Sequence, residues 1–282
     1  MELSEEAVAG VVAVALLEDV GAGDRTTAQL VPAGAHCRAH LLLEEPGVVC
    51  GLAAAAAVFR ALDPTVTLTP VSEDGTRIEE TPAVVAEIAG PTRAVLTGER
   101  TALNLFGRLS GVATLTRRYV DAVAGTGAEI LDTRKTTPGL RALERYAVTC
   151  GGGRNHRFGL YDAILVKENH LAAAGGIRAA AAVLAGGGNG IPVEVEVETL
   201  DQVVEAIEAG FVRILLDNMS PGDIRAAVAL AGGRVRLEAS GGIDLDTVRG
   251  YAETGVDCIS IGALTHSARS LHVSLDIEPE PR

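Results

Sequence analysis

From about residue 128 onward, short runs of β-branched and other apolar residues alternate with polar turns and alanine-rich stretches. The apolar runs have the length of buried strands, and the alanine-rich stretches have the length of helices. Strands that alternate with helices in this way predict βαβ units around a parallel sheet. The predicted strands are residues 129–132, 163–166, 192–197, 212–216, 235–238 and 258–261. The predicted helices are residues 139–149, 177–185, 200–209, 221–231, 244–254 and 263–269, with a further helical stretch at 100–124 before the first strand.

Polar or small residues stand at the end of nearly every predicted strand. They are Asp132, Lys167, Glu196, Asp217, Ser240 and Gly262. Active sites of α/β barrels are built at the carboxyl ends of the strands, whereas a doubly wound sheet concentrates its site at one switch point. The fold class predicted is therefore α/β, with a parallel barrel that is closed or partly open.

The first hundred residues follow a different pattern, in which helical and strand-like segments are mixed. Helices are predicted at residues 4–17 and 51–62, and strand-like segments at 35–44, 65–71 and 83–89. This mixture predicts an N-terminal α+β sandwich domain over residues 1–110, followed by the α/β barrel domain over 111–269. The tail 270–282 contains a strand-like stretch, and we expect it to rejoin the first domain.

Composition excludes several classes of partner. A net charge of −13 and the absence of tryptophan remove the basic footprint and most of the stacking platforms that nucleic acids require. The apolar runs at 7–17 and 47–59 are shorter than the roughly 18 residues that span a bilayer. The acidic start does not resemble a signal peptide. We therefore expect a cytoplasmic protein that binds neither nucleic acid nor membrane.

The four cysteines are scattered and lack metal-ligand spacing, which is typical of reduced thiols inside a cell. Cys150, which stands beside three glycines, is an alternative candidate for a catalytic thiol. A buried structural role is the commoner one for such a residue.

Positive charge is concentrated in one segment of this acidic chain. Residues 132–170 contain seven lysines and arginines against four acidic residues. A local excess of cations in an acidic protein indicates a binding site for an anion. A solvated charged face is the alternative, but threonine, glycine and asparagine surround these basic residues, which disfavours it.

Two motifs carry most of this charge. In the first, Arg134, Lys135 and Thr136 follow a predicted strand, and arginine offers two-pronged donation to a carboxylate or phosphate while lysine offers a compact charge. In the second, three glycines at 151–153 precede Arg154, His156 and Arg157. Glycines permit close backbone approach to a ligand, so this segment also indicates anion binding.

Three further strand ends carry side chains that could take part in catalysis or bind a ligand. Lys167 has two interpretations, an electrostatic contact or a Schiff-base nucleophile. Glu196 and Asp217 end two later strands, where carboxylates can bind sugar hydroxyls or Mg²⁺. Small residues that lead into helices after the last two strands predict a backbone cradle for a phosphate. This predicted cradle consists of Ser240, Gly241, Gly242, Gly262 and Ala263.

Seven ordered motifs together resemble a known family. They occupy residues 18–27, 99–104, 109–114, 132–141, 151–157, 165–170 and 238–243. They are similar to the motifs of quinolinate phosphoribosyltransferase, also called carboxylating nicotinate-nucleotide pyrophosphorylase. The resemblance extends from about residue 16 to residue 277.

This resemblance implies a pentosyltransferase of NAD biosynthesis. Such an enzyme joins quinolinate to phosphoribosyl pyrophosphate with Mg²⁺, and yields nicotinate mononucleotide, pyrophosphate and CO₂. It also implies a homodimer with shared active sites, which can assemble further.

The resemblance also assigns a role to each matching residue. Substrate binding falls to Arg100, Arg134, Thr136, His156, Arg157 and Lys167, with Arg100 supplied by the neighbouring subunit. Lys135 lies between substrate and pyrophosphate. Glu196 and Asp217 serve the ribose hydroxyls and, indirectly or through substrate, the metal. The two glycine-rich loops take the 5′-phosphate.

Three other functions remain open from the residues. A related enzyme could act on a monocarboxylate such as nicotinate, although the excess of cations favours two carboxylates. Lys167 could serve a Schiff-base aldolase. The chain could also bind its ligand without catalysis.

Overall fold

The computed structural model describes residues 3–185 and 190–279; residues 280–282 of the tail lie outside the described part. The chain forms two compact units. The first comprises residues 3–117, 136–152 and 264–279, and the second comprises residues 118–135, 153–185 and 190–263. The sequence-based division at residue 110 groups 136–152 and 264–269 with the barrel, whereas these segments belong to the first unit. Residues 136–152 belong to the first unit because the helix in this segment buries its apolar face in that unit.

The first unit is built around a four-stranded antiparallel sheet. The described residues of this unit contain six strands, of which four form this sheet. The six strands are β1 (His36–Leu43), β2 (Gly47–Val48), β3 (Thr67–Pro70), β4 (Arg77–Ile78), β5 (Ala83–Pro91) and β12 (Val273–Pro279). The sheet order is β12-β1-β5-β3, while β2 and β4 form a separate pair. Alternate residues of β1 are buried, as expected for a strand with one face on the core. The tail strand β12 thus pairs with β1.

The helices of the first unit pack among themselves and on this sheet. They are α1 (Glu5–Asp19), α2 (Arg25–Leu30), α3 (Leu52–Leu62), most of α4 (Thr92–Ala122), α5 (Arg141–Cys150) and most of α11 (Ala263–His266). Helix α1 contacts both α3 and α5. Among the buried residues of α5 are Leu143, Ala147 and Val148, which form its apolar face.

The second unit contains a six-stranded parallel sheet. Its strands are β6 (Glu129–Leu131), β7 (Ile164–Val166), β8 (Val193–Val197), β9 (Arg213–Asp217), β10 (Arg236–Ser240) and β11 (Cys258–Ser260). The helices are α6 (Glu168–Ala174), α7 (Ile177–Ala185), α8 (Leu200–Glu208), α9 (Pro221–Ala231) and α10 (Val248–Ala252). All six predicted strands are confirmed.

Strand order shows that this sheet is an open barrel. The order is β6-β11-β10-β9-β8-β7, so the first strand of the series lies beside the last. That order is cyclic and contains no switch point of the kind that defines a doubly wound sheet. Within the described residues, no pairing joins β6 to β7. The predicted parallel barrel is confirmed in its partly open form.

Several helices differ from their prediction. The helix predicted at 244–254 is reduced to α10, because the Asp244 carboxylate accepts hydrogen bonds from the backbone and hydroxyl of Thr247 (2.9 and 2.7 Å) and holds a turn there. The helix predicted at 100–124 begins earlier, at Thr92. Helices α2 and α6 were not predicted. Across the described ranges, no helix combines the length and apolar character needed to cross a membrane.

Candidate active site

The candidate site is built at the carboxyl ends of the barrel strands. Val166 pairs with Val195, which places Lys167 level with Glu196 on the neighbouring strand. The Lys167 Nζ lies 2.8 Å from the Glu196 Oε2. The two strand-end residues therefore form an ion pair.

Side chains of the later strands share one face with Glu196. Asp217 pairs directly with Ser240 across β9 and β10. Because side chains alternate with a period of two, Ser240 faces the same side as Glu238, and Glu196 faces the same side as Glu194. Glu194 and Glu238 both contact one imidazole, which places both on the inner face. The strand-end carboxylates and Ser240 thus converge on one end of the barrel interior.

That imidazole belongs to His156, in the glycine-rich segment. Its Nε2 lies 3.0 Å from the Oε2 of Glu194 and 3.4 Å from the Oε2 of Glu238. Burial lowers the pKa of His156, but hydrogen bonds to the two carboxylates outweigh burial and raise the pKa to about 10. The backbone N–H of Arg157 acts in the opposite direction, because it donates to Nδ1 at 2.7 Å and favours the neutral ring.

The proton on Nε2 is present in both forms of His156 and is directed at the glutamates. The prediction that His156 holds a substrate carboxylate directly therefore stays a prediction. The buried partners Glu194 and Glu238 were not assigned this role from sequence.

Asp132 positions the segment that carries His156. It is fully buried, and its carboxylate accepts hydrogen bonds from the Asn155 side chain (2.5 Å) and the His156 backbone (2.8 Å). Arg154 forms a parallel bridge with Leu131 of β6. The segment after the three glycines is thereby aligned beside the open edge of the sheet, and Asp132 acts through it.

The first glycine of this segment serves packing. A Cβ on Gly151 would lie 2.5 Å from the carbonyl oxygen of Ala113 and 2.5 Å from the Cβ of Thr116. The expected role of these glycines in close approach to a ligand does not explain Gly151.

Two guanidinium groups lie close enough to influence each other. Burial, and next the positive charge of Arg134, lower the pKa of Arg157. The carboxylates of Glu194 and Glu196 act in the opposite direction. Arg157 also donates to the carbonyl oxygen of Ala163 at 3.3 Å. Two like charges held near each other attract an anion, because the anion relieves their repulsion.

The other residues predicted to bind substrate differ in their exposure and in their hydrogen bonds. Lys135 is exposed, and its backbone N–H donates to the Thr133 hydroxyl at 3.1 Å. The Thr136 hydroxyl accepts a hydrogen bond from Arg141 Nε at 2.9 Å. Arg100 is exposed on α4. Their roles toward substrate stay predictions.

The loop after β10 has the backbone geometry of a tight cradle. Gly241 and Gly242 have φ angles of +99° and +61°, which favour glycine. A Cβ on Gly241 would lie 2.2 Å from the Oδ1 of Asn218. Asn218 itself has a φ of 54° and donates to Asp217 at 2.8 Å. The loops after β9 and β10 therefore interlock, in the sense that Asn218 packs directly against the backbone of Gly241. Asparagine tolerates a positive φ better than most residues, and this is the sequence signal for a special position at Asn218.

The helices that follow the two loops of the predicted phosphate cradle are shorter than expected. Helix α10 has five residues and α11 has four. Gly262 directly precedes α11, and Ala263 is its first residue. Any phosphate held here would be bound mainly by loop backbone groups. The role of these five residues stays a prediction.

The fold and this set of side chains define an α/β-barrel enzyme whose site is suited to an anionic substrate. Comparison with known families is specific. Residues 24–110 match the family model described as "Quinolinate phosphoribosyl transferase, N-terminal domain", and residues 112–276 match that of its C-terminal domain. The chain belongs to the quinolinate phosphoribosyl transferase family.

Individual relatives agree along nearly the whole chain. A protein named "Probable nicotinate-nucleotide pyrophosphorylase [carboxylating]" from Bacillus subtilis is 44% identical over 262 residues, with 93% of this chain and 90% of the relative covered. A quinolinate phosphoribosyltransferase from Nicotiana glauca is 40% identical, with 96% and 82% covered. The crystal structure of NadC from Streptococcus pyogenes has a TM-score of 0.94 at 40% identity, with both chains fully covered.

Proposed function

We propose that this chain transfers the phosphoribosyl group of phosphoribosyl pyrophosphate to quinolinate and decarboxylates the product to nicotinate mononucleotide. Membership of the family and the names of its relatives support the transferase and decarboxylating activities. Phosphoribosyl pyrophosphate, Mg²⁺ and a cytoplasmic location are part of the same proposal.

The observation that carries the proposal is that Arg134, Arg157 and Lys167 belong to one barrel, in which the charge of Arg134 acts on Arg157. Quinolinate carries two carboxylates on adjacent ring carbons. Arginine binds a carboxylate with two parallel hydrogen bonds, so paired guanidinium groups suit a dianion better than a monoanion. Nicotinate, which has one carboxylate, would leave part of this positive charge unbalanced.

The transfer step develops charge of both signs. As pyrophosphate leaves, the anomeric carbon of ribose becomes positive and the departing oxygens become negative. Glu196 and Asp217 present carboxylates at the strand ends, where they stabilise the ribose and bind its hydroxyls. Lys135 neutralises the leaving group. The pyridine nitrogen is the nucleophile, so the protein's task is to hold it in line with the anomeric carbon.

The carboxylates of Glu196 and Asp217 are the donors that fit Mg²⁺, which prefers oxygen ligands. One oxygen of each already has a partner in the chain, in Lys167 and Asn218. We therefore propose that they hold the metal indirectly, through water or substrate. When bound, Mg²⁺ supplies neutralisation of the pyrophosphate charge.

Loss of CO₂ follows transfer in this proposal. The newly formed pyridinium carries a positive charge that stabilises the carbanion left by the departing carboxylate. Arg157 and Lys167 orient the carboxylates before this step. A ring-saturated dicarboxylate tests the idea: it should bind and release no CO₂, and CO₂ release from it would contradict the mechanism.

A Schiff-base aldolase is the second candidate for Lys167. Such a lysine must be neutral to attack a carbonyl, whereas here its Nζ is engaged with Glu196. Borohydride added with a carbonyl substrate should leave no adduct on Lys167. A trapped adduct would support the aldolase instead.

The experiment that tests the proposed function is product analysis. Purified protein with quinolinate, phosphoribosyl pyrophosphate and Mg²⁺ should yield nicotinate mononucleotide, CO₂ and pyrophosphate in equal amounts. Removal of Mg²⁺ by a chelator should stop the reaction, and its return should restore it. Binding of quinolinate without product under these conditions would support a non-catalytic ligand-binding protein.

A further inference from the structure

A pair of cysteines lies in the first unit, and the proposed reaction makes no use of it. Cys50 directly precedes Gly51 at the start of α3, and Cys150 is the last residue of α5. The Sγ atoms of both and a carboxylate oxygen of Asp74 all lie within 4.8 Å of one another. The fold thus brings together two thiols that are far apart in sequence.

The two thiols differ in exposure. Cys50 is completely buried, and its backbone is fixed by Ser110, whose hydroxyl accepts from the Cys50 N–H and donates to the Cys50 carbonyl, both at 3.0 Å. Cys150 is only partly buried. A small oxidant in solvent therefore meets Cys150 first, with Cys50 behind it.

Cys50 donates and Cys150 accepts in the contact between the thiols, and this gives the two cysteines different reactivity. A hydrogen bond from Cys50 lowers the pKa of Cys150, although burial opposes this. Burial, and then the contact with Cys150, raise the pKa of Cys50. The thiolate is the reactive form of cysteine, so Cys150 is the group suited to attack.

A metal site is the alternative use of this cluster, and the environment of Asp74 disfavours it. Its Oδ2 accepts from the Gly51 N–H and from the Tyr146 hydroxyl, both at 3.0 Å, and its Oδ1 faces the Leu52 N–H at 3.3 Å. The carboxylate thus caps α3. A structural zinc site takes four ligands, whereas this cluster offers three among the described residues.

We infer that Cys50 and Cys150 form a modification site, at which a peroxide converts the two thiols to a reversible disulfide. The Cys150 thiol gives up its proton, the thiolate attacks one peroxide oxygen, and the O–O bond breaks. Cys150 becomes a sulfenic acid, while the departing hydroxide takes up the released proton and leaves as water. The Cys50 thiol then attacks the Cys150 sulfur, the S–O bond breaks, and a second water leaves. Both sulfurs are oxidised, and one hydrogen peroxide is reduced to two waters.

Bond formation requires the two sulfurs to approach to about 2 Å. The Sγ atoms lie within 4.8 Å of each other, and rotation about χ1 is the movement that would bring them together. The cross-link would tie the end of α5 to the start of α3. This site is independent of the proposed transferase activity.

The test uses the full chain, folded and reduced, treated with hydrogen peroxide and examined by intact mass and peptide mapping. Wild-type protein should lose the mass of two hydrogen atoms and yield one peptide pair linked through Cys50 and Cys150. Dithiothreitol should restore both the mass and the separate peptides. The Cys258→Ser variant removes a buried thiol of the second unit and is the matched control, which should behave as wild type does.

Removal of either thiol should change the product. In Cys50→Ser, Cys150 should gain one or more oxygen atoms instead of forming a disulfide; Cys50→Ala is tested in parallel, because a buried hydroxyl carries its own desolvation cost. Cys150→Ser should form no link. Oxygen accumulation on Cys150 of the wild type, a link to another cysteine, no reaction at all, or zinc that copurifies and blocks oxidation would each overturn the inference.

Discussion

At the scale of single residues, Lys135 and Arg157 have separable roles in the proposed reaction. In that proposal Arg157 binds the ground-state dianion, whereas Lys135 neutralises charge that appears as pyrophosphate departs. Arg157→Ala should raise KM for quinolinate by about 10- to 100-fold, the loss expected for charge-assisted hydrogen bonds. Lys135→Ala should lower kcat by roughly 100-fold with little change in KM. Steady-state kinetics measures both, and equal effects on kcat and KM in the two variants would contradict this division.

The sequence indicates which basic residues are candidates for anion binding, but it does not indicate their contacts. Arg134, Arg157 and Lys167 were identified because basic side chains at strand ends and in a glycine-rich segment are unusual in an acidic chain. The burial of Glu194 and Glu238 against His156 depends on β8 and β10 facing one interior. That relation joins residues far apart along the chain, and no local pattern encodes it. The same holds for Cys50 and Cys150.

At the scale of elements, the interlocked loops after β9 and β10 depend on one glycine. In Gly241→Ala the new methyl group would clash with Asn218, and the φ of +99° is strained for alanine. We expect a loss of about 1–3 kcal/mol of unfolding free energy. Chemical denaturation measures it.

Gly250→Ala is the control for that substitution. Gly250 lies within α10, and a Cβ there would meet nothing within 4 Å. Alanine is a better helix former than glycine, so stability should be equal or rise by up to about 1 kcal/mol. Equal losses in the two variants would contradict the proposed interlock.

The carboxylate of Glu45 contacts the segment through which the tail returns to the first sheet. Glu45 accepts two hydrogen bonds from Arg269 and one from the His272 N–H (2.7 Å). The Arg269 contact and then the backbone bond lower the pKa of Glu45 to about 2, from an ordinary value of 4.5. A lowered folded-state pKa gives stability above pH 4.5 that is lost as the pH falls towards 2.

Glu45→Gln should therefore cost about 1 kcal/mol at neutral pH, a small amount because Arg269 is largely exposed. The difference from wild type should shrink as the pH falls from 4.5 to 2. Urea unfolding at a series of pH values measures this. A difference that stays constant over that range would show that Glu45 acts through packing instead of charge.

Elements that belong to the repeating strand–helix pattern were predicted well, including barrel strands of three residues, whereas isolated short elements were not. The six barrel strands are buried β-branched runs, which are distinctive. The strands β2 and β4 have two residues each and carry no pattern. Helix α6 was not predicted because it begins directly after Lys167, and the first residues of the helix were interpreted as part of a site motif.

At the scale of the whole molecule, the cyclic strand order explains why the polar strand ends meet. The parallel pattern and the strand-end residues predicted a barrel, and its opening between β6 and β7 was left undecided. The units into which the chain divides depend on where α5 buries its apolar face. Sequence order alone therefore did not reveal that 136–152 belongs to the first unit.

The family resemblance implies a homodimer with shared sites, and such a dimer predicts complementation between inactive variants. Arg100→Ala and Lys135→Ala should each be nearly inactive alone. After subunit exchange, half of the dimers are mixed and each has one intact site, so roughly a quarter of wild-type activity should return. A mixture of Lys135→Ala and Glu196→Ala, whose residues are assigned to the same subunit, should recover none. Failure of the first mixture, in variants shown to exchange, would contradict the role of Arg100.

The central claim is that the cationic groups of this barrel neutralise a doubly ionised ring acid beside an activated sugar phosphate. Pyrophosphate release measured with quinolinate and with nicotinate side by side, each with phosphoribosyl pyrophosphate and Mg²⁺, tests it most directly. We predict rapid release with quinolinate and little with nicotinate. Equal release with both acids, or faster release with nicotinate, would contradict the claim.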